Sequence, residues 1–252
     1  MTLAQEGNAS AVAASTAVAV APASTAAAEK SPTTESKAIS PLQSLWTAAQ
    51  THAHNEVWGV KLADPATHVP SQIILQKYLN ANDGDVMRAK EQLNNTLDFR
   101  AKTHPIELVQ KHFSNDKFAG LGYITSYADT TSTPGTKEVF TWNLYGGVKD
   151  VQKSFGDLDA FIDWRVALME MAIQELDLGS ATQRITAEED HYKIYQVHDY
   201  KGINFFRSPP AVRSAAKKTV EVLAMAYPET LREKFFVNVP GKLKHSSLVL
   251  RY

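Results

Sequence analysis

The sequence predicts an α/β fold, with an N-terminal helical lobe followed by a mostly parallel sheet flanked by helices. Three observations carry that expectation. Up to about residue 112 the apolar residues recur at helical spacing, and from "LGYITSYA" (121–128) onward β-branched and aromatic runs take over. Strand-like and helix-like stretches then alternate, which is the order of βαβ units. Finally "KFFVNVP" (234–240) is apolar almost without interruption, as parallel strands buried on both faces are.

Taken in order, "PLQSLWTAAQTHAH" places Leu42, Leu45, Trp46 and Ala49 on one helical stripe. "PSQIILQKYLNA" does the same with Ile74, Tyr78 and Ala81. The turn "NDGD" ends it, and Asp85 is placed to cap a helix whose apolar face is Val86, Ala89, Leu93 and Leu97. "LGYITSYA" and "EVFTWNLYG" read as strands separated by the turn-forming "DTTSTPGTK". A long helix follows, with Leu158, Phe161, Ile162, Arg165, Leu168, Met169 and Ile173 in register. "HYKIYQVHDY" is a strand, and "GINFF" a short second one. Ser208 is placed to cap a helix starting at Pro209 and Pro210, with the stripe Val212, Ala216, Val220, Leu223 and Tyr227. "FFVNV" is then expected as a neighbour or near-neighbour of "KIYQVHD", joined to it by a right-handed crossover.

Three regions result: a leader (1–40), a helical lobe (41–112) and an α/β region (113–252). The leader is built almost wholly of Ala, Ser, Thr, Val and Pro, which bury too little area to offset ordering entropy, so it is expected to be disordered. With 44% apolar residues the remainder has ample material for a core. A net charge of −1 gives no support to nucleic-acid binding, which would need a basic field. The absence of cysteine excludes disulfides, thiolate metal sites and a cysteine nucleophile. There is no glycine-rich phosphate loop and no G-x-S-x-G elbow, and no motif pairs the carboxylates, so no enzymatic activity is expected. The two histidines of "THAH" diverge on a helix, and "AEEDH" reads as a solvated helix end.

One constellation stands apart. In "YQVHDYKGINFF" alternation puts His198 and Tyr200 on one side of a strand, about 6.6 Å apart at Cα. By spacing alone these are either hydrogen-bonding groups that cap a core strand or two donors aimed at one ligand.

"LQKYLNANDGDVMRAKEQLNNTLDFR", "VHDYKGI" and above all "AYPETLREKFFVNVP" resemble the CRAL-TRIO lipid-binding family, in which Tyr-Pro-Glu ends a helix and Asn-x-Pro ends the next strand. The likeness covers about residues 70–240. "VFTWNLYG", "RVALME", "QVHDYKGI" and "FFVNVP" together are similar to a fungal branch of phosphatidylinositol transfer proteins that also bind haem. The resemblance implies a CRAL-TRIO-like fold, incomplete after the Asn-x-Pro strand. It also implies phosphatidylinositol and a transiently contacted membrane as partners, with a cytoplasmic protein peripheral to the endoplasmic reticulum or plasma membrane.

For the cofactor it implies ferric haem b, with His198 and Tyr200 as iron ligands; a hard phenolate oxygen suits Fe(III). Glu229 then matches a position near the inositol headgroup. Lys234 and Arg100 are candidate cations for haem propionates, and Tyr78 is the aromatic of the lobe expected to face the pocket. The alternatives are a haem-binding or haem-sensing protein without lipid transfer, or a truncated product without function.

Overall fold

The computed structural model describes residues 40–128, 137–202, 209–239 and 248–251. The expected leader apart from Ser40, the turn 129–136, Ser208 and the "INFF" of the expected short strand lie outside these residues. The described residues belong to one compact unit.

The lobe begins with α1 (Pro41–Thr51), where Ser40 Oγ accepts the Gln43 amide. A two-strand hairpin follows, β1 (Glu56–Val57) and β2 (Val60–Lys61). Next come α2 (Val69–Asn80) and α3 (Val86–Thr103). Asp85 caps α3 as its position predicts, accepting the amides of Met87 and Arg88. Two short helices, α4 (Pro105–Gln110) and α5 (Asn115–Phe118), lead to the sheet.

The sheet has five strands, with β3 (Gly122–Ala128), β4 (Lys137–Leu144), β5 (Ile194–Asp199), β6 (Leu231–Val237) and β7 (Leu248–Arg251) side by side in chain order. β4, β5 and β6 are parallel; β3 and β7 run antiparallel at the edges. β5 and β6 are therefore neighbours, as the crossover reading requires. Between β4 and β5 lie a 3-10 turn (Tyr145–Gly147), α6 (Val151–Phe155) and α7 (Leu158–Glu175); α8 (Pro210–Ala226) joins β5 to β6.

Successive parallel strands that advance in one direction place their crossover helices on one face of the sheet. Accordingly α7 packs on β3 and β4, and α8 packs beside α7. The fit is tight at Gly122, where an added Cβ would lie 2.9 Å from both Leu168 Cδ2 and the Trp164 ring. The register puts Val139, Thr141 and Asn143 on this face with Ile194, Gln196 and His198, all six of them buried. Lys234 and Phe236 of β6 continue it. The opposite face carries a row of half-buried aromatics in which Phe140 stacks on Tyr195 at 4.6 Å and Tyr195 meets Phe235 at 6.1 Å.

Several expectations are corrected. β6 was expected to be buried on both sides, but all seven of its residues are half-buried, because the crossover helices cover one face and sit nearer β3 and β4. α8 starts at Pro210 with Pro209 in the capping position and no side-chain cap bond. Ala215, Val222 and Ala226 are its buried residues; of the expected stripe Tyr227 is buried and Val212 and Leu223 pack partly buried against the core, whereas Ala216 and Val220 face solvent, Val220 being 65% exposed. The acidic run at 187–191 is not helical, and the side chain of its Asp190 is 6% exposed. His52 and His54 lie just past the end of α1 rather than within it.

One core joins the lobe to the sheet layer, holding Leu45, Ile73 and Leu93 against Val139, Met169, Ile173 and Ile194. Each such side chain contributes about 1.5–3 kcal/mol by leaving water. Two buried polar knots fix the same interface. Arg100 of α3 binds Glu56 at 2.8 Å and Glu170 of α7 at 2.5 Å, and Tyr227 Oη donates to Glu170 at 2.6 Å. Lys77 of α2, fully buried, donates to Asp190 at 2.5 Å and to the carbonyls of Tyr192 and Glu229 at 2.8 and 2.9 Å.

Candidate functional site

At the C-terminal ends of the parallel strands four rings converge on the helix-bearing face. His198 and Tyr200 stand side by side, ring centroids 6.5 Å apart and 18° from parallel. Tyr145, from the 3-10 turn after β4, lies 5.7 Å from each of them. Phe236 of β6 lies 5.5 Å from His198 and 5.9 Å from Tyr200. The shared direction of His198 and Tyr200 follows from strand alternation, which continues past β5 because the Tyr200 amide still pairs with the Val237 carbonyl.

The turn beyond is fastened by Asp199. Its Oδ1 accepts the Lys201 amide and Asn238 Nδ2, both at 2.8 Å, and Gly202 takes φ 79°, open to glycine at little cost. The aspartate-x-x-glycine pattern is thus a backbone device that presents the two rings. The chain also comes very close here, since a Cβ on Gly146 would fall 1.9 Å from the Lys201 carbonyl oxygen.

Behind the rings is a polar centre. Arg165 of α7, 4% exposed, donates from Nη1 to Asn143 Oδ1, and Asn143 Nδ2 donates to the Val197 carbonyl at 3.1 Å. The Arg165 guanidinium also sits over the Trp164 ring, and its Nε is buried without a hydrogen-bond partner. His198 Nε2 lies 3.3 Å from Gln196 Oε1. Burial, with Arg165 and Lys234 nearby, lowers the His198 pKa from 6.5 to about 3, so the ring is neutral at ordinary pH with a lone pair to offer. Burial and the neighbouring Tyr145 push the Tyr200 phenol up to about 12. Lys234 shares the face, and burial followed by Arg165 lowers its pKa.

His198, Tyr200 and Lys234 are therefore brought together. The other sequence candidates are placed elsewhere. Arg100 is enclosed by Glu56 and Glu170 between lobe and sheet layer, so its charge is already matched. Tyr78 is buried in that same interface, stacked 6.0 Å from Trp58. Glu229 has a left-handed φ of 55° and pairs with Lys193 at 2.9 Å, while its carbonyl accepts from Lys77. Arg165, Asn143, Tyr145, Gln196 and Phe236 were not singled out as site residues. The signal for Arg165 was present, as a lone charge in the apolar register of α7.

Residues 143–245 match the family model of the CRAL/TRIO domain. Among curated proteins, the chain is 62% identical over 202 residues to the phosphatidylinositol transfer protein SFH5 of Chaetomium globosum, covering 80% of this chain and 46% of that one. It is 53% identical over 207 residues to the phosphatidylinositol transfer protein sfh-5 of Neurospora crassa, covering 81% of this chain and 57% of that one. The chain spans about half the length of the curated relatives it matches. Among solved structures it is similar to the crystal structure of Sfh5, with a TM-score of 0.66 at 25% identity, covering 81% of this chain and 69% of that one.

Proposed function

The chain carries a CRAL/TRIO domain, and from that premise we propose that it binds phosphatidylinositol for transfer between membranes and holds ferric haem in the same cavity. The lipid part is supported by the likeness to phosphatidylinositol transfer proteins. The haem part is supported by the paired rings of His198 and Tyr200 beside a buried cation.

The residues suit the group. A neutral imidazole and a phenol are both donors for iron. Tyr145 and Phe236 offer flat apolar walls to a planar ligand, and Arg165 and Lys234 offer positive charge to carboxylates. Bound haem would supply a ferric centre that lowers the cost of ionising Tyr200 in this buried setting. His198 and Tyr200, nearly parallel and on one side of one strand, would approach such a ligand from the same direction. Tyr200 and His198 would be the residues that hold the iron, the hard phenolate oxygen suiting Fe(III).

The test is haemin titration of the purified chain. Tyr200→Phe keeps the ring and removes the oxygen, so the phenolate-to-iron charge-transfer band should vanish while the fold persists. Equal visible spectra for the wild type and this variant would overturn the haem assignment. Lipid is read separately, as phosphatidylinositol captured from micelles and identified by mass spectrometry. A coloured protein that captures none favours haem binding without transfer.

A further inference from the structure

Exchange of a bilayer lipid requires contact with a bilayer, yet the whole chain has a net charge of −1. Any electrostatic attraction must therefore be local. One surface has the required character. α6 packs against the start of α8, with Phe155 and Val151 against Ala215, Ala211 and Val212. With those residues turned inward, the two helices expose Lys153, Arg213, Lys217 and Lys218. Lys149, which precedes α6, and Lys201, at the end of β5, are exposed as well.

The exposed carboxylates of these same segments are Asp150 and Glu221, and Glu221 is shared by Lys217 and Lys218 at 3.8 Å each. Cations thus clearly outnumber anions on a protein that is nearly neutral overall. Among the cations of α8, Ala216 and Val220 present apolar surface to water, one turn apart. This mixture of lysine, arginine and shallow apolar groups on helices fits an anionic lipid surface better than it fits water.

The position matters as much as the charge. Lys201 lies against the 3-10 turn that carries Tyr145, and Tyr145 touches both His198 and Tyr200. Lys201 thus marks the end of the sheet where the four rings converge, and α6 and α8, which follow β4 and β5 in the chain, start from that same end. We propose that the outward sides of α6 and the N-terminal half of α8 dock the chain on an anionic bilayer, with the His198–Tyr200 end of the sheet toward the lipid. The inference rests on the lipid-exchange reading above.

Flotation of the whole chain with vesicles tests it, using phosphatidylcholine alone and phosphatidylcholine mixed with phosphatidylserine. Binding should appear only with the mixed vesicles and should weaken as salt is raised. Lys217→Glu with Lys218→Glu should lower that binding at least about tenfold, since each basic residue near such a surface adds a comparable increment. Lys61→Glu with Lys102→Glu makes the same change in net charge on exposed positions of the lobe, and should leave binding close to wild type.

Equal binding to both vesicle types, no binding to either, or equal loss in the two double variants would each overturn the docking surface. Haemin titration and lipid capture from micelles need no bilayer, so their failure would count against the cavity reading instead.

Discussion

Arg100 Nη1 and Glu170 Oε1 lie 2.5 Å apart with neither side chain exposed to solvent, and this ion pair fastens the helical lobe to α7. Removing one partner leaves an uncompensated buried charge. Arg100→Leu should therefore cost about 3–5 kcal/mol in urea unfolding. Arg100→Leu with Glu170→Leu should cost less than the single change, because no orphaned carboxylate remains at 170. If the single variant folds in the cold, its haemin affinity should match wild type, in keeping with a place outside the ring cluster.

Lys77 offers a second fastening with a distinct pH signature. Burial lowers its pKa from 10.5 to about 8 despite the Asp190 carboxylate. Between pH 8 and 10.5 the unfolded chain keeps a proton that the folded chain has released, so this group makes stability rise with pH across that window. Lys77→Met should remove that rise in a series of urea melts. It should also cost about 3–5 kcal/mol near pH 7, where Asp190 loses its partner.

His198 acts in acid. Its folded pKa of about 3 lies below the ordinary 6.5, so the unfolded chain takes up a proton first as pH falls. The contribution is fully present above pH 6.5 and declines toward pH 3, by up to about 1.4 kcal/mol per pH unit for one proton. His198→Leu should flatten this part of the acid-unfolding profile. An unchanged slope would show that the imidazole is not buried neutral.

Phe236 separates packing from ligand contact. A wholly buried phenylalanine on a central strand would lose about 3–5 kcal/mol on truncation to alanine. Half-buried as it is, Phe236→Ala should cost about 1–3 kcal/mol. The same change removes a wall against both His198 and Tyr200, so haemin should bind more weakly although the protein stays folded. Thermal melts and haemin titration on the same samples check both halves.

Much of this was legible in the sequence. The cap at Asp85, the neighbouring parallel strands β5 and β6, and the shared side of His198 and Tyr200 all follow from local chemistry and strand period. What escaped depends on which side of an element is covered. Apolar residues at helical spacing mark α8, yet the helix turns Val222 inward and Val220 outward, a choice made by α7 and α3 rather than by α8 itself. Arg100 shows the same limit. The resemblance made it a candidate partner for haem propionates, but its partners Glu56 and Glu170 stand 44 and 70 residues away and only the tertiary fold brings them to it. Tyr145 escaped because a turn residue has no periodicity to betray its direction.

The close approach of Gly146 to the Lys201 carbonyl makes the width of the ring cluster a main-chain property. Two backbones in contact leave no slack for a rotamer change to absorb, so Tyr145 is held at a fixed gauge from His198 and Tyr200. Exchanging the Tyr145 side chain would alter which group faces His198 and Tyr200 while leaving the backbone spacing alone. A single methyl at 146 would do the reverse, wedging the turn off the strand and widening the ring cluster whatever side chain stands at 145.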